Sequence, residues 1–126
     1  TVLCVMIDVD AHRLTVASAG HMAPLLLDGE EGRFVAFDAD VPIGVRRDSQ
    51  YRETTVAVPA NATLLAFTDG LVERRGEVLD AGLARLRDAA TGQHLALDDL
   101  LTQLAHDLAS EDHTDDTAMV GIQWQN

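Results

Sequence analysis

The sequence has few basic residues, few aromatic residues and a single cysteine, and these shortages exclude several functions. Nine lysine and arginine residues stand against 21 aspartate and glutamate residues, so the formal net charge is −12. This charge repels phosphate backbones and anionic lipid surfaces, so we expect neither nucleic acid nor a membrane as a partner. The lone Cys4 excludes an intramolecular disulfide and a cysteine-based zinc site. Its apolar neighbours predict that Cys4 is buried as a small hydrophobic residue.

Long apolar runs are also missing from the sequence. No stretch approaches the roughly eighteen residues of a membrane-spanning helix, and the start has no secretory leader pattern, so we expect a cytoplasmic protein. The 126 residues, 47% of them hydrophobic, suffice for one domain with its own core. Residue 1 is threonine and strand-like sequence begins at once, which indicates a part of a longer chain.

The common catalytic and binding motifs are absent. The sequence has no Gly-x-Ser-x-Gly elbow, no phosphate-binding loop ending in lysine and no dinucleotide fingerprint. Ser18 precedes His21 by three residues, but proximity in sequence is not the geometry of a catalytic triad. The segments 8–10 and 38–40 begin like calcium loops, yet both lack the glycine and the closing glutamate that such loops need. We interpret both as solvated turns.

The hydrophobic pattern changes its period between the two halves of the chain. In the first half, short apolar or alternating runs between turn residues predict antiparallel strands. These runs are residues 2–7, 13–19, 25–27, 33–37, 51–58 and 63–67, and residues 41–45 are predicted as a loop with apolar anchors. The second half predicts amphipathic helices over 79–90 and 97–108 and a final strand over 117–124. This order favours an α+β fold whose helices cover one face of an antiparallel sheet.

Two acidic turns stand at the ends of buried strands and are the strongest candidate site. Thr68-Asp69-Gly70 follows the apolar run 63–67, and Asp115-Asp116-Thr117 precedes the apolar run 118–122. Carboxylates on rigid strand ends can converge on a hard cation such as Mg²⁺ or Mn²⁺, which prefers oxygen ligands. The alternative is that both are ordinary turns, because Asp-Gly and Asp-Asp-Thr are common loop sequences.

Two histidines lie close in sequence to these features. His21 could be a metal ligand, a proton donor, or a loop residue that hydrogen-bonds a neighbouring carbonyl, and we favour the last interpretation. His113 stands two residues before Asp115 and could reach the same site, but an acidic surface loop would look the same.

Four segments in a fixed order resemble a known family. They are Ala17-Ser18-Ala19-Gly20-His21-Met22-Ala23-Pro24-Leu25-Leu26, then Pro42-Ile43-Gly44, then residues 64–73 around Thr68-Asp69-Gly70, then Asp115-Asp116-Thr117-Ala118-Met119-Val120. Together they resemble the stage II sporulation E-like phosphatases, the bacterial branch of the metal-dependent (PPM-type) protein serine/threonine phosphatases. The resemblance covers essentially all of residues 1–126 and corresponds to the C-terminal part of a single domain of that family.

The resemblance implies an antiparallel β-sandwich flanked by α-helices, incomplete at its N-terminus, with two Mn²⁺ or Mg²⁺ ions at one end. It makes Asp69 and Asp115 metal ligands and places the less certain Asp116 beside them, while Gly70 allows close backbone approach. It further implies that a metal-activated water hydrolyses phosphoserine or phosphothreonine on a partner protein such as an anti-sigma-factor antagonist. His21 would have a supporting place.

The differences from the family keep other interpretations open. The family takes further ligands from a region that would precede Thr1, so this chain alone is expected to be inactive. A non-catalytic regulatory module that keeps the phosphatase fold is the main alternative, and an acidic calcium-binding module is the third. Because early strands would be missing, unpaired edges predict a homodimer or association with other domains of a longer protein.

Overall fold

The computed structural model describes residues 1–38, 40–109 and 115–125. They form seven strands, two α-helices and a 3-10 helix in three layers: one sheet, a second sheet, and the two helices. The strands are β1 (Val2–Asp8), β2 (Arg13–Ala19), β3 (Leu25–Asp28), β4 (Glu31–Phe34), β5 (Thr54–Ala57), β6 (Thr63–Phe67) and β7 (Met119–Gln123). The helices are the 3-10 helix (Asp69–Leu71), α1 (Leu79–Ala90) and α2 (Leu97–Asp107).

Both sheets are antiparallel in every pairing of the described strands. The first sheet has the order β1-β2-β5, and the second has the order β4-β3-β6-β7. In the second sheet Leu65 of β6 is opposite Leu25 of β3 on one side and opposite Gly121 of β7 on the other. The pairing of β6 with β7 joins the middle of the chain to its last strand, and it brings the two acidic turns to the same end of the sheet.

The central strands of the second sheet are buried on both faces, which explains their continuous apolar sequences. Leu26 and Leu64 point toward the first sheet and pack with Leu14, Val16 and other residues of the core between the sheets. Leu25 and Leu65 point the other way and pack against the helices, where Leu86, Leu100 and Leu104 are also buried. A strand between two apolar layers has no solvated face, so it loses the alternating pattern of a surface strand.

The α+β class and the sandwich with helices against one sheet are confirmed. The helical patterns predicted α1 with the observed bounds and α2 to within one residue at its end. No helix in the described ranges is long and apolar enough to cross a membrane.

Several local predictions are wrong. Cys4 is exposed, because β1 alternates and Cys4 lies on the face that points away from the core. Ile43 and Val45 do not anchor their loop, since they are 65% and 62% exposed. The strand predicted over 51–58 is limited to Thr54–Ala57, where β2 provides a pairing partner.

The segment 38–40 also differs from a plain solvated turn. Asp38 is highly exposed, but the side chain of Asp40 is only 12% exposed and accepts hydrogen bonds from Arg52. An ion pair therefore closes the loop between β4 and β5.

Candidate metal centre

The pairing of β6 with β7 places the two acidic turns side by side at one end of the sandwich. Phe67 is opposite Met119 in the register, and one residue further the Thr68 N–H donates to the Ala118 carbonyl at 3.0 Å. Asp69 then begins the 3-10 helix directly after β6, while Asp115 and Asp116 precede β7. Because the strands are antiparallel, the end of one and the beginning of the other lie at the same edge.

The hydroxyl of Thr68 connects the two turns a second time. Its Oγ1 accepts a hydrogen bond from the Ala118 N–H at 2.9 Å. The same oxygen lies 3.3 Å from the Asp116 carbonyl and 3.4 Å from the Ala118 carbonyl, so its proton can be donated to one of them at a time. The residue before Asp69 thus holds the backbone that follows Asp115.

Gly70 is the point where the turns touch. A Cβ atom at this buried residue would lie 2.4 Å from the Asp116 carbonyl oxygen and 3.1 Å from that of Asp115. The first distance is too short for a carbon and an oxygen that are not bonded and the second is tight, so a side chain here would displace the second turn. Glycine at position 70 therefore allows the turns to approach each other closely.

The carboxylates themselves are open to solvent, while their backbones are held. The Asp69 carbonyl accepts hydrogen bonds from the Val72 and Glu73 N–H groups at 2.9 and 2.8 Å. The Asp115 carboxylate accepts one from the Asp116 N–H at 3.0 Å. Asp69, Asp115 and Asp116 are all exposed, so their oxygens are accessible to an ion.

A cavity of about 220 Å³ opens beside Asp69. Its lining includes His21 from the segment after β2 and Glu73 from the turn after the 3-10 helix, with Thr1, Gly20, Met22, Thr68 and Leu79 around them. The imidazole Nε2 of His21 lies 2.9 Å from the Phe67 carbonyl oxygen. Of the three interpretations of His21, the structure therefore shows a hydrogen bond to a carbonyl, and the acceptor lies 46 residues away in sequence.

Two contributors to this region were not singled out from the sequence. The sequence pattern marks Thr68 only as part of a turn, whereas in the structure its hydroxyl joins the two acidic segments. Glu73 follows Asp69 by four residues, and a helical turn places residues at that spacing on one face. This spacing predicts from the sequence that Glu73 lies beside Asp69, and both residues line the cavity.

The donor chemistry fits a hard cation, but the described residues do not form a full coordination sphere. Aspartate oxygens are the ligands that Mg²⁺ and Mn²⁺ prefer. Within residues 1–38, 40–109 and 115–125, no three His, Cys, Asp or Glu side chains converge closely enough to hold a metal ion. His113, the other candidate near Asp115, lies outside the described residues.

The antiparallel sandwich carries its helices against one sheet and the two acidic turns at one end. The model of the family described as Stage II sporulation protein E (SpoIIE) matches residues 1–125, and the chain belongs to this family. A search of curated proteins found no match.

Solved structures support the same fold. The RsbU and RsbW domains of a Mycobacterium tuberculosis protein match with a TM-score of 0.83 and 26% identity, covering 96% of this chain and 35% of that one. The phosphatase domain of the cell fate determinant SpoIIE from Bacillus subtilis matches with a TM-score of 0.72 and 15% identity, covering 100% of this chain and 59% of that one. The same domain presoaked with Mn matches with a TM-score of 0.68 and 15% identity, covering 99% and 56%. The chain thus spans between about a third and three fifths of the length of these three structures.

Proposed function

We propose that residues 1–126 are the later part of a metal-dependent protein serine/threonine phosphatase domain. The observation that carries the proposal is the contact between the two acidic turns, made through Thr68 and Gly70 in a chain of the SpoIIE family. Two carboxylate segments held together by backbone contacts form part of a rigid platform, and divalent ions tolerate little misplacement of their ligands.

The proposed roles follow from this arrangement. Asp69 and Asp115 would hold Mn²⁺ or Mg²⁺, and Asp116 would assist them. When bound, two such ions supply an activated water and positive charge for the phosphate oxygens. The contribution of this chain is to hold the carboxylates in place, because Gly70 sets how closely the turns approach and Thr68 sets their register. A protein nucleophile is not required for this chemistry.

We further propose that the substrate is a phosphorylated regulatory protein, such as an anti-sigma-factor antagonist. The Mycobacterium tuberculosis protein that carries both an RsbU and an RsbW domain supports a partner within a protein signalling system. The net charge of −12 disfavours nucleic acid and anionic lipid as partners. A cytoplasmic location belongs to the same proposal.

The central experiment replaces Asp69 in the protein that carries this chain. Asp69→Ala should abolish Mn²⁺-dependent phosphate release from a phosphoserine protein, because a ligand is lost. Asp88→Ala is the matched control, since Asp88 is an exposed carboxylate on α1 and should be replaceable without loss of activity. Full activity of Asp69→Ala would contradict the site assignment.

A non-catalytic module with the phosphatase fold is the second candidate. It is favoured by the finding that no three potential metal ligands converge in the part of the chain that the structure describes. Calorimetric titration with Mn²⁺ separates the two candidates. The phosphatase proposal requires binding that Asp69→Ala weakens, whereas equal weak binding by both proteins would favour the module.

Self-association or packing against another domain is a further part of the proposal. Val2 and Met6 are 47% and 66% exposed on the outward face of β1, and β1 and β7 lie at the edges of their sheets. Unpaired edges beside apolar side chains favour pairing with another chain. Sedimentation velocity over a range of protein concentrations measures this association directly.

A further inference from the structure

His21 connects the two sheets at the end that carries the acidic turns. It follows β2 of the first sheet by two residues, and its Nε2 lies 2.9 Å from the carbonyl of Phe67, the last residue of β6 in the second sheet. A carbonyl oxygen can only accept a hydrogen bond, so Nε2 carries the proton. Nδ1 lies 3.3 Å from the Thr1 hydroxyl and, in the neutral ring, accepts a hydrogen bond from it.

The imidazole replaces a strand partner that β3 does not provide. β3 begins at Leu25, which is opposite Leu65, so this strand does not continue alongside Phe67. Phe67 is only 4% exposed, and a buried carbonyl needs a hydrogen-bond donor. The His21 ring supplies that donor immediately before the turn that carries Asp69.

The backbone around His21 is built to hold the ring in this place. Ser18 is 2% exposed, and its Oγ donates to the His21 carbonyl at 2.7 Å and accepts from the His21 N–H at 3.0 Å. Gly20 has a φ of +71°, and a Cβ atom there would lie 2.6 Å from the Pro42 Cγ. The hydrogen bonds of a buried serine and the left-handed conformation of Gly20 together fix the backbone of this turn. The fixed backbone limits the positions that the His21 ring can take.

We propose that His21 is a positioning residue for the metal site and not a metal ligand. Its Nε2–H is engaged by the Phe67 carbonyl, and this bond holds the end of β6 two residues before Asp69. His21 and Asp69 line the same cavity, so a shift of the strand end would move the Asp69 carboxylate within it. The inference rests on the proposed function, because it takes Asp69 to be a ligand.

The test uses the protein that carries this chain and measures its Mn²⁺ affinity by calorimetry without substrate, together with the folded fraction by circular dichroism. His21→Leu should lower the affinity by about tenfold or more, as loss of a residue that orients a ligand typically does. His21→Gln should restore most of it, because the glutamine amide N–H can reach the Phe67 carbonyl. His94→Leu is the control, since His94 is an exposed histidine paired with Glu30.

The outcomes separate this inference from the proposed function. Native affinity in a folded His21→Leu protein, with affinity lost in Asp69→Ala, would overturn the role of His21 and leave the metal site intact. Native affinity in Asp69→Ala as well would instead overturn the proposed site. If His21→Leu does not fold, His21→Gln is compared with His21→Asn, whose shorter amide does not reach Phe67. The inference requires tighter Mn²⁺ binding by the glutamine variant, and equal affinities would contradict it.

Discussion

Gly70 lies directly against the backbone of Asp116, and this contact sets the separation of the two acidic turns. A Cβ atom at position 70 would stand 2.4 Å from the Asp116 carbonyl oxygen, which is backbone and cannot rotate away as a flexible side chain can. The same carbonyl lies 3.3 Å from the Thr68 hydroxyl. The absence of a side chain at position 70 therefore sets how closely the two acidic turns approach each other.

Gly70→Ala should displace the segment around Asp116. Such overpacking costs about 1–3 kcal/mol of the free energy of unfolding, and the affinity for Mn²⁺ should fall with it. Urea unfolding and calorimetric titration measure the two effects. Gly29→Asn is the control, because a Cβ at Gly29 meets nothing within 4 Å and its φ of +56° suits asparagine. An unchanged Mn²⁺ affinity in Gly70→Ala would show that the separation of the turns does not matter for binding.

Thr68→Val should loosen the connection between the turns while keeping the shape of the side chain. The Ala118 N–H would exchange its hydroxyl acceptor for water, and the net loss for such an exposed hydrogen bond is about 0.5–1.5 kcal/mol. Hydrogen exchange at the Ala118 amide, followed by nuclear magnetic resonance, should become faster. Thr68→Ser keeps the oxygen and should retain slow exchange; equally fast exchange in both variants would contradict the role of the hydroxyl.

Gly82→Ala should destabilise the protein although alanine favours helices. A Cβ atom at Gly82 of α1 would lie 2.0 Å from the Val72 carbonyl oxygen, so the helix would have to move away from the segment after the 3-10 helix. The expected loss is about 1–3 kcal/mol of the free energy of unfolding. At the neighbouring position 81, alanine is preferred over glycine because the side chain there is exposed. Ala81→Gly should therefore cost about 1 kcal/mol of the free energy of unfolding. Thermal unfolding of both variants tests the contrast, and a stabilised Gly82→Ala protein would refute the close contact.

The ion pair between Asp40 and Arg52 predicts a loss of stability in acid. The Arg52 backbone N–H, followed by its guanidinium, holds the pKa of Asp40 below its usual value. As the pH falls, Asp40 is therefore protonated in the unfolded chain before it is protonated in the folded protein. The ion pair stabilises the folded protein fully above about pH 4, and this contribution is lost as the pH falls through the lower pKa of Asp40 in the folded state.

Asp40→Asn should remove this component of the pH dependence. The melting temperature of the variant should fall less than that of the native protein when the pH is lowered from about 5 to 3. Asp48→Asn is the control, because Asp48 is an exposed aspartate in the same loop, and its melting temperature should fall as much as that of the native protein over this pH range. Identical acid profiles for Asp40→Asn and the native protein would show that the pair does not couple to folding.

Much of the local structure could be predicted because it depends on short-range patterns. The apolar spacing of α1 identified its bounds, because the residues that face the core recur within the helix itself. The strand predicted from Tyr51 onward was too long, because strand length depends on a partner. β2 pairs with β5 only from Thr54 to Ala57, and no local pattern contains that information.

The position of Cys4 was missed for a related reason. An apolar run such as Val2–Ile7 shows that a strand forms, but alternation decides which side chains face the core, and both faces of β1 carry apolar residues. Which face is covered is decided by the sheet packed against it. Leu3, Val5 and Ile7 of β1 pack against the core between the two sheets. Cys4 therefore lies on the opposite, exposed face of the strand.

The sequence by itself determined the negative charge, the types of the elements and the identity of the acidic residues at the strand ends, since all of these are local properties. Only the tertiary structure decided that Thr68 meets Ala118 across 50 residues and that His21 donates to Phe67. Those contacts depend on strand register and on the stacking of two sheets, which arise from burial of the whole apolar surface and not from any one segment. The two acidic turns were visible in the sequence, and their contact through Gly70 was not.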